Sequence, residues 1–180
     1  MNSVTTISGF RMKRLTTHVD ERGDLTELFR HEWTTAPVPV QWNFVHSEAN
    51  VLRGVHVHVR HFDHLVFAFC PVLIGITDLR DSSETFMQSG LIEADASDKL
   101  LLTIPPGVAH GFYFPDGGMF FYGLSDYWDP VNDELGCRWN DPKLSIPWPA
   151  QAPLLSARDR TAGSLDELLK DLQRAKAGAW

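Results

Sequence analysis

The hydrophobic positions of this chain fall into short runs of the kind that form β-strands. Apolar residues alternate with polar ones or run continuously at 38–45, 51–59, 65–69, 72–79, 99–104, 111–114 and 119–124. Turn residues separate several of these runs, as at Cys70-Pro71, Pro105-Pro106-Gly107 and Asp116-Gly117-Gly118. Closely spaced strands without helices between them predict an all-β sandwich or barrel.

Only the C-terminal part of the chain is expected to be helical. Ser164 and Glu167 have the spacing of a capping box, and Leu168, Leu169 and Leu172 follow at helical spacing. We expect this short α-helix to lie on the surface and to pack its leucines against the barrel.

Histidines are concentrated in one segment. Four of the eight, His56, His58, His61 and His64, lie within residues 53–64. His56 and His58 are separated by one valine, so a strand here would aim both imidazoles at the same face. Two imidazoles on one face of a buried strand form either a metal site or an acid–base site, and core hydrogen bonding is the structural alternative.

Length and composition limit the classes of partner. The 180 residues suit one domain spanning 1–180, with 43 % hydrophobic and 22 % charged residues. A net charge of -7 argues against nucleic acid or an anionic membrane surface as the main partner. No segment has the length expected of a membrane span or a signal peptide. The two cysteines, Cys70 and Cys137, make no disulfide framework, so we expect a cytoplasmic protein.

His56, His58 and the loop ending at His110 resemble the paired motifs of the cupin superfamily, whose fold is a small jelly-roll β-barrel. In metal-binding cupins this resemblance implies His56, His58, Asp63 and His110 as candidate ligands. Three imidazoles and a carboxylate suit iron, manganese, nickel or zinc. The usual acid of the motif is a glutamate, however, and Asp63 meets its spacing only approximately.

A more specific resemblance covers residues 20–159. Nine motifs occur in order: DERG at 20–23 with ELFR at 27–30, QWN at 41–43, RGVH at 53–56, DLR at 78–80, Thr85-Phe86, IPPGVAHGF at 104–112, YGLSDYW at 122–128, GCRWNDP at 136–142 with IPWP at 146–149, and LSARD at 155–159. Together they resemble the dTDP-4-dehydrorhamnose 3,5-epimerase family, a cupin branch that works without metal or cofactor.

The resemblance implies a reaction on a nucleotide-linked, probably dTDP-linked, 4-keto-6-deoxyhexose. The ketone acidifies the hydrogens on C3 and C5, so a base can remove one and an acid can return a proton on the opposite face. His56 stands at the position of the family's base, where an imidazole suits the task. Asp159 matches the carboxylate that orients it, and Tyr122 matches the proton donor.

Substrate contacts and assembly are also implied by the resemblance. Arg53 and His110 would surround the sugar. The guanidinium groups of Arg22 and Arg138 could grip phosphate oxygens in bidentate fashion. The remaining binding positions are Arg22, Glu27, Gln41, Asn43, Trp128 and Arg138, of which Arg22, Gln41 and Arg138 match phosphate and nucleotide contacts. The expected assembly is a homodimer.

The chain departs from the family pattern at several positions. His64 stands where a lysine is usual, and it could stabilise an enolate only if its imidazole were protonated. Ile74 replaces an aspartate, and Trp128 replaces a second tyrosine. These changes favour an epimerase with an altered substrate or regiochemistry, including inversion at one carbon only.

Two other functions remain open from the residues alone. One is a metal-dependent cupin enzyme that uses His56, His58 and His110. The other is a module that binds a nucleotide sugar without turning it over.

Overall fold

The structure is a computed structural model that describes residues 7–68 and 70–177. Two antiparallel five-stranded sheets dominate it. The first has the order β1 (Arg11–Arg14), β9 (Leu100–Ile104), β6 (Asp63–Phe67), β11 (Gly118–Leu124) and β4 (Gln41–Ser47). The second has the order β12 (Leu135–Gly136), β5 (Val51–Val57), β10 (Val108–Phe114), β7 (Val72–Asp78) and β8 (Ser89–Ala94). A separate hairpin pairs β2 (Thr17–Asp20) with β3 (Gly23–Thr26).

This architecture confirms the predicted all-β, cupin-type jelly roll with a C-terminal helix. The first predicted strand begins later than expected, at Gln41, after a segment that contains Pro37 and Pro39. Proline has no N–H to donate to a neighbouring strand, which accounts for the shift. The run at 65–69 forms β6, although Phe69 lies outside the described residues.

Five strands were not predicted: β1, β2, β3, β8 and β12. The residues of β1 are exposed, and β2 and β3 are exposed along most of their length. They therefore lack the inward apolar face on which a strand prediction depends.

Phenylalanine rings fill the space between the two sheets at one end of the barrel. Phe67 and Phe120 come from the first sheet, and Phe112 and Phe114 come from the second. Phe120 lies 5.1 Å from Phe67 and 5.7 Å from Phe114 between ring centroids, in stacked arrangements. Aromatic side chains bury more surface than other types, so this cluster is the main tie between the sheets. Phe112 and Phe120 of this cluster also line the cavity between the sheets.

A second core lies outside the barrel, beneath the helix α2 (Leu165–Ala177). Leu165, Leu168 and Leu172 are buried there against Val55 and Val57 of β5. The predicted capping box is confirmed, because Ser164 N and Oγ donate to Glu167 Oε2 at 2.7 and 2.8 Å. The helix therefore supports the back of the strand that carries His56.

The DLR motif at 78–80 builds a turn. Asp78 is fully buried, and its carboxylate accepts hydrogen bonds from Arg80, Ser83 and Thr85 at 2.6–2.8 Å. Burial opposes ionisation of Asp78, but these donors hold its pKa at about 2. The motif thus fixes the connection from β7 to β8.

Among the described residues, no helix has both the length and the apolar character needed to cross a membrane.

Candidate active site

A cavity of about 640 Å³ opens between the two sheets. Six of the predicted site residues line it: Arg53, His56, His110, Tyr122, Trp128 and Asp159. Its wall also includes Val45, Leu65 and Phe112, which give it apolar patches. A concave, largely apolar site with a few converging polar groups is the usual form of a small-molecule site.

His56 and Asp159 form a hydrogen-bonded pair in this cavity. His56 lies on β5, and Asp159 lies in the short helix α1 (Ala157–Arg160), whose N-terminus is capped by Ser156. His56 Nε2 lies 2.7 Å from Asp159 Oδ1, and the second oxygen of Asp159 accepts from the Gly54 N–H at 3.4 Å. An ionised carboxylate can only accept, so Nε2 of His56 carries the proton and Nδ1 keeps its lone pair.

The surroundings keep this pair in the protonation states that a base needs. Burial lowers the pKa of His56, and the hydrogen bond and charge of Asp159 offset only part of that effect. Burial raises the pKa of Asp159, but the donors His56, Ser156 and Gly54 outweigh it and hold that pKa below its usual range. Asp159 is therefore ionised, and His56 is neutral at pH 7.

Tyr122 approaches the cavity from the facing sheet. It lies on β11, between Asn43 of β4 and Leu65 of β6 in register. Burial and the nearby charge of Asp63 raise its pKa, so its phenol stays protonated at neutral pH. His56 and Tyr122 thus present an acceptor and a donor from opposite walls.

Arg53 and Trp128 border the same space. Arg53 Nε donates to Ser47 Oγ at 2.9 Å, and its Nη2 donates to the His46 carbonyl at 2.9 Å, which holds the guanidinium in place. Trp128 N donates to Gln41 Oε1 at 3.1 Å. Gln41 does not line the cavity and instead anchors the loop that brings Trp128 to it.

His64 does not lie where the prediction placed it. Asp63 and Leu65 face the cavity, so His64 between them points to the other face of β6. It is fully buried, with Nε2 2.9 Å from the Pro37 carbonyl and Nδ1 3.2 Å from Thr103 Oγ1. Burial lowers its pKa, so it is neutral at pH 7. The prediction that His64 supplies a cation for the enolate is therefore wrong.

Four other predicted contacts lie outside the cavity wall: Arg22, Glu27, Asn43 and Arg138. Arg22 is at the turn of the β2–β3 hairpin, with its side chain 83 % exposed and paired with Asp20. Arg138 pairs with Asp141, whose carboxylate also accepts from the Leu165 N–H at the start of α2. Within one chain, these arginines do not reach the base.

The structure adds cavity residues to which the motif argument assigned no role. Glu134, Ser156 and Arg158 line it, and Arg158 pairs with Glu134 and lies 3.6 Å from Asp159 Oδ1. Asp63 and His58, considered only as metal ligands, also line the wall. The spacing of these residues carries no periodic signal that would assign them a role, so their position at the cavity becomes visible only in the folded chain.

The expectation that His56 and His58 share a face is met, because both line the cavity. They are nevertheless held differently, since His58 Nδ1 donates to the Asp133 carbonyl at 2.7 Å.

Comparison with known proteins agrees with the motifs. The family model for dTDP-4-dehydrorhamnose 3,5-epimerase matches residues 4–167. A protein of that name from Pseudomonas aeruginosa is 40 % identical over 125 residues, which are 67 % of this chain and 68 % of that protein.

Solved structures of enzymes with related functions have a similar fold to this chain. The Legionella pneumophila enzyme in complex with dTDP-4-keto-L-rhamnose has a TM-score of 0.81 and 31 % identity, covering 91 % of this chain and 94 % of that one. ChmJ, a 3'-monoepimerase from Streptomyces bikiniensis in complex with dTDP-quinovose, has a TM-score of 0.81 and 27 % identity, covering 95 % and 89 %. The chain therefore belongs to the dTDP-4-dehydrorhamnose 3,5-epimerase family.

Proposed function

We propose that the protein is an epimerase that inverts C3, C5 or both in a nucleotide-linked 4-keto-6-deoxyhexose. The observation that carries this proposal is the His56–Asp159 pair on one wall of the cavity with a protonated Tyr122 on the other. Inversion at carbon needs a base and an acid on opposite faces of the same centre, and this arrangement supplies both.

In the proposed reaction, the neutral imidazole of His56 removes the proton next to the ketone. Asp159 accepts the Nε2 hydrogen bond throughout, fixes the tautomer and stabilises the imidazolium that forms. The electron pair moves into the enolate, and its charge falls on the former ketone oxygen. Tyr122 then donates its phenolic proton to the opposite face of the carbon.

Arg53 and Arg158 supply positive charge at the cavity. Arg53 is held by Ser47 and His46 rather than by a carboxylate, so its guanidinium has donors left for a ligand. We assign it to the sugar or to the diphosphate. Arg158 is already paired with Glu134, and we therefore assign it to orienting Asp159.

Regiochemistry is the part of the function that relatives leave open. The family includes 3,5-epimerases, and ChmJ is a 3'-monoepimerase. We propose a dTDP sugar as substrate, because both solved relatives described above hold dTDP sugars.

We further propose a homodimer. On β4 and β11, the outer face of the first sheet exposes Trp42, Phe44, Met119 and Phe121, each at least 41 % exposed. Adjacent apolar residues on a sheet face mark an interaction surface. A second copy also explains Arg22, which could contact the nucleotide only if a partner brought it to the cavity.

We place the enzyme in the cytoplasm as one domain, consistent with two buried free thiols at Cys70 and Cys137.

The deciding experiment is incubation with dTDP-4-keto-6-deoxyglucose in deuterated water, followed by NMR. An epimerase incorporates deuterium at the inverted carbon, and the position of the label shows which centre reacts. Binding of the nucleotide sugar without any label would replace the epimerase with a binding module.

A further inference from the structure

An ionised carboxylate faces the cavity at Asp63. Asp63 begins β6 and is buried, and its side chain lines the cavity together with those of His58 and His110. Its two oxygens have different surroundings. Oδ1 faces His61, whose Nε2 lies 3.6 Å away, and Oδ2 faces His58 and His110, whose Nε2 atoms each lie 3.7 Å away. Oδ2 is therefore the oxygen turned toward the cavity.

His61 balances the charge of Asp63 from behind the cavity wall. Its Nδ1 lies 2.7 Å from Asp133 Oδ2, so its ring stands between two carboxylates. Burial lowers the pKa of His61, but Asp133 and Asp63 outweigh burial and raise it to about 9. Burial raises the pKa of Asp63, but the three neighbouring imidazoles outweigh it and hold that pKa at about 2. At neutral pH, His61 is therefore an imidazolium and Asp63 is a carboxylate.

The cavity-facing oxygen of Asp63 can accept a hydrogen bond from a ligand. Its contacts with His58 and His110 are too long for hydrogen bonds, since charge-assisted N–H···O bonds are about 2.7–2.9 Å long. His110 Nδ1 donates to the Val108 carbonyl at 3.2 Å, and burial lowers the pKa of His110 to about 4. The neutral ring thus turns its Nε2 lone pair, rather than a proton, toward Asp63. A ligand group that lies against Asp63 Oδ2 must therefore be a donor.

Asp63 lies close to both the proposed base and the proposed acid. His110, its neighbour, stands directly opposite His56 in the pairing of β10 with β5. Tyr122 stands opposite Leu65 in the pairing of β11 with β6, and Asp63 is the next residue of β6 on the same face. Such diagonal neighbours are about 7–8 Å apart, within reach of an aromatic side chain. A sugar held between His56 and Tyr122 is therefore within reach of Asp63.

We propose that, given the function proposed above, Asp63 is a specificity-determining residue that accepts a hydrogen bond from a ring hydroxyl of the sugar. In a nucleotide-linked 4-keto-6-deoxyhexose, C1 carries the nucleotide, C4 is the ketone, C5 bears the ring oxygen and C6 is a methyl group. Free hydroxyls remain on C2 and C3, and one of these two is the donor. The enzyme therefore requires a substrate that keeps this hydroxyl.

The same carboxylate orients the sugar ring. A ketone oxygen has no proton to donate, and the enolate oxygen that forms from it is negatively charged, so both are repelled by Asp63. A hydroxyl is attracted instead, because its hydrogen bond to an ionised acceptor is stronger than one to a neutral acceptor. The ring is thus bound with a hydroxyl at Asp63 and its ketone directed away, which limits which carbon next to the ketone faces His56.

The test compares three sugars on the wild-type chain: dTDP-4-keto-6-deoxyglucose, its 2-deoxy analogue and its 3-deoxy analogue. Deuterium exchange next to the ketone measures kcat/KM, and calorimetric titration measures Kd. Loss of the hydroxyl that donates to Asp63 should lower kcat/KM by about tenfold or more, the usual effect of a hydrogen bond to a charged group. Loss of the other hydroxyl should have a smaller effect. This comparison needs no variant, so it remains informative if a variant fails to fold.

Asp63→Ala removes the acceptor and should abolish this discrimination, and Asp63→Asn, which keeps the shape without the charge, should reduce it. Glu134→Gln is the matched control. Glu134 is a carboxylate on the same cavity wall that is already paired with Arg158, so its variant should keep the wild-type preference whatever its rate.

Equal kcat/KM for all three sugars in the wild type would overturn the role of Asp63 and leave the epimerase in place. Unchanged discrimination in folded Asp63→Ala would do the same. Absence of exchange with every sugar would instead remove the epimerase. In that case, a preference in Kd for the hydroxylated sugar that Asp63→Ala abolishes would still support the role of Asp63, and equal Kd values would overturn it.

Discussion

At the scale of single residues, His56 is the proposed base, and its substitution tests the proposed reaction most directly. His56→Ala should lower deuterium exchange by about 10²–10⁴-fold, the usual contribution of a positioned general base. Ligand binding should persist, because the neighbouring cavity wall is unchanged. The measurement is NMR of the labelled sugar, with His31→Ala, an exposed histidine, as the control. Exchange near the wild-type rate in His56→Ala would show that another residue is the base.

Tyr122→Phe separates proton removal from proton return. The variant keeps the ring that packs near Phe120 but loses the phenolic proton. We expect it to label the substrate while forming little inverted product. Inversion at the wild-type rate would exclude Tyr122 as the donor. Stability should change little, because the ring remains.

The pH dependence of turnover follows from the same two groups. His56 must be neutral, and burial lowers its pKa, so activity should fall only as pH drops through that lowered pKa. Tyr122 must be protonated, and burial raises its pKa, so the alkaline limb should lie at higher pH than for an ordinary tyrosine. Asp159→Asn removes the negative charge that helps to raise the pKa of His56. It should therefore shift the acidic limb to lower pH as well as reduce the rate.

At the residue scale, the motifs predicted which side chains would meet in one site, while the roles of those side chains stay predictions. His56, Tyr122 and Asp159 all reach the cavity. The prediction was wrong for His64, because a shift of one residue in a strand moves a side chain to the other face. Asp63 takes the inward position, and no spacing rule reveals which of two adjacent polar residues does so.

At the scale of elements, α2 determines how firmly β5 is held. Leu168→Ala should lower the free energy of unfolding by about 2–5 kcal/mol, because it leaves a cavity against Val55 and Val57. Lys170→Ala on the exposed side of the same helix should change it by less than about 0.5 kcal/mol. Denaturant titration followed by circular dichroism measures both. Equal stability of the two variants would show that the helix contributes nothing to the support of β5.

Most strands with an apolar face were predicted from the sequence, but β8 was missed although Ile92 and Ala94 are buried on it. The inner strands and the capping box at Ser164 came from periodicity and cap chemistry. The hairpin of β2 and β3 has no such face, because most of its residues are exposed. Ile74, which replaces a family aspartate, lies fully buried on β7 in the phenylalanine core. Its neighbours there are apolar, so the aspartate is replaced without leaving an unpaired charge.

At the scale of the whole molecule, the position of Arg22 makes a dimer testable through activity. Arg22 is exposed on a hairpin and absent from the cavity wall of its own chain. If a partner's hairpin completes each site, a mixed dimer of Arg22→Ala and His56→Ala chains has both defects in the same site, that of the His56→Ala chain. The site in the Arg22→Ala chain keeps its own His56 and receives the intact arginine from the other chain.

Mixing the two inactive variants after subunit exchange should therefore restore activity. In a symmetric dimer with random pairing at equal amounts, half of the dimers are mixed and each has one working site, so about a quarter of wild-type activity should return. A mixture of Arg22→Ala with the double variant Arg22→Ala/His56→Ala is the control and should stay inactive. Size-exclusion chromatography with light scattering establishes the dimer separately. A dimer that shows no recovery would mean that Arg22 does not act across the interface.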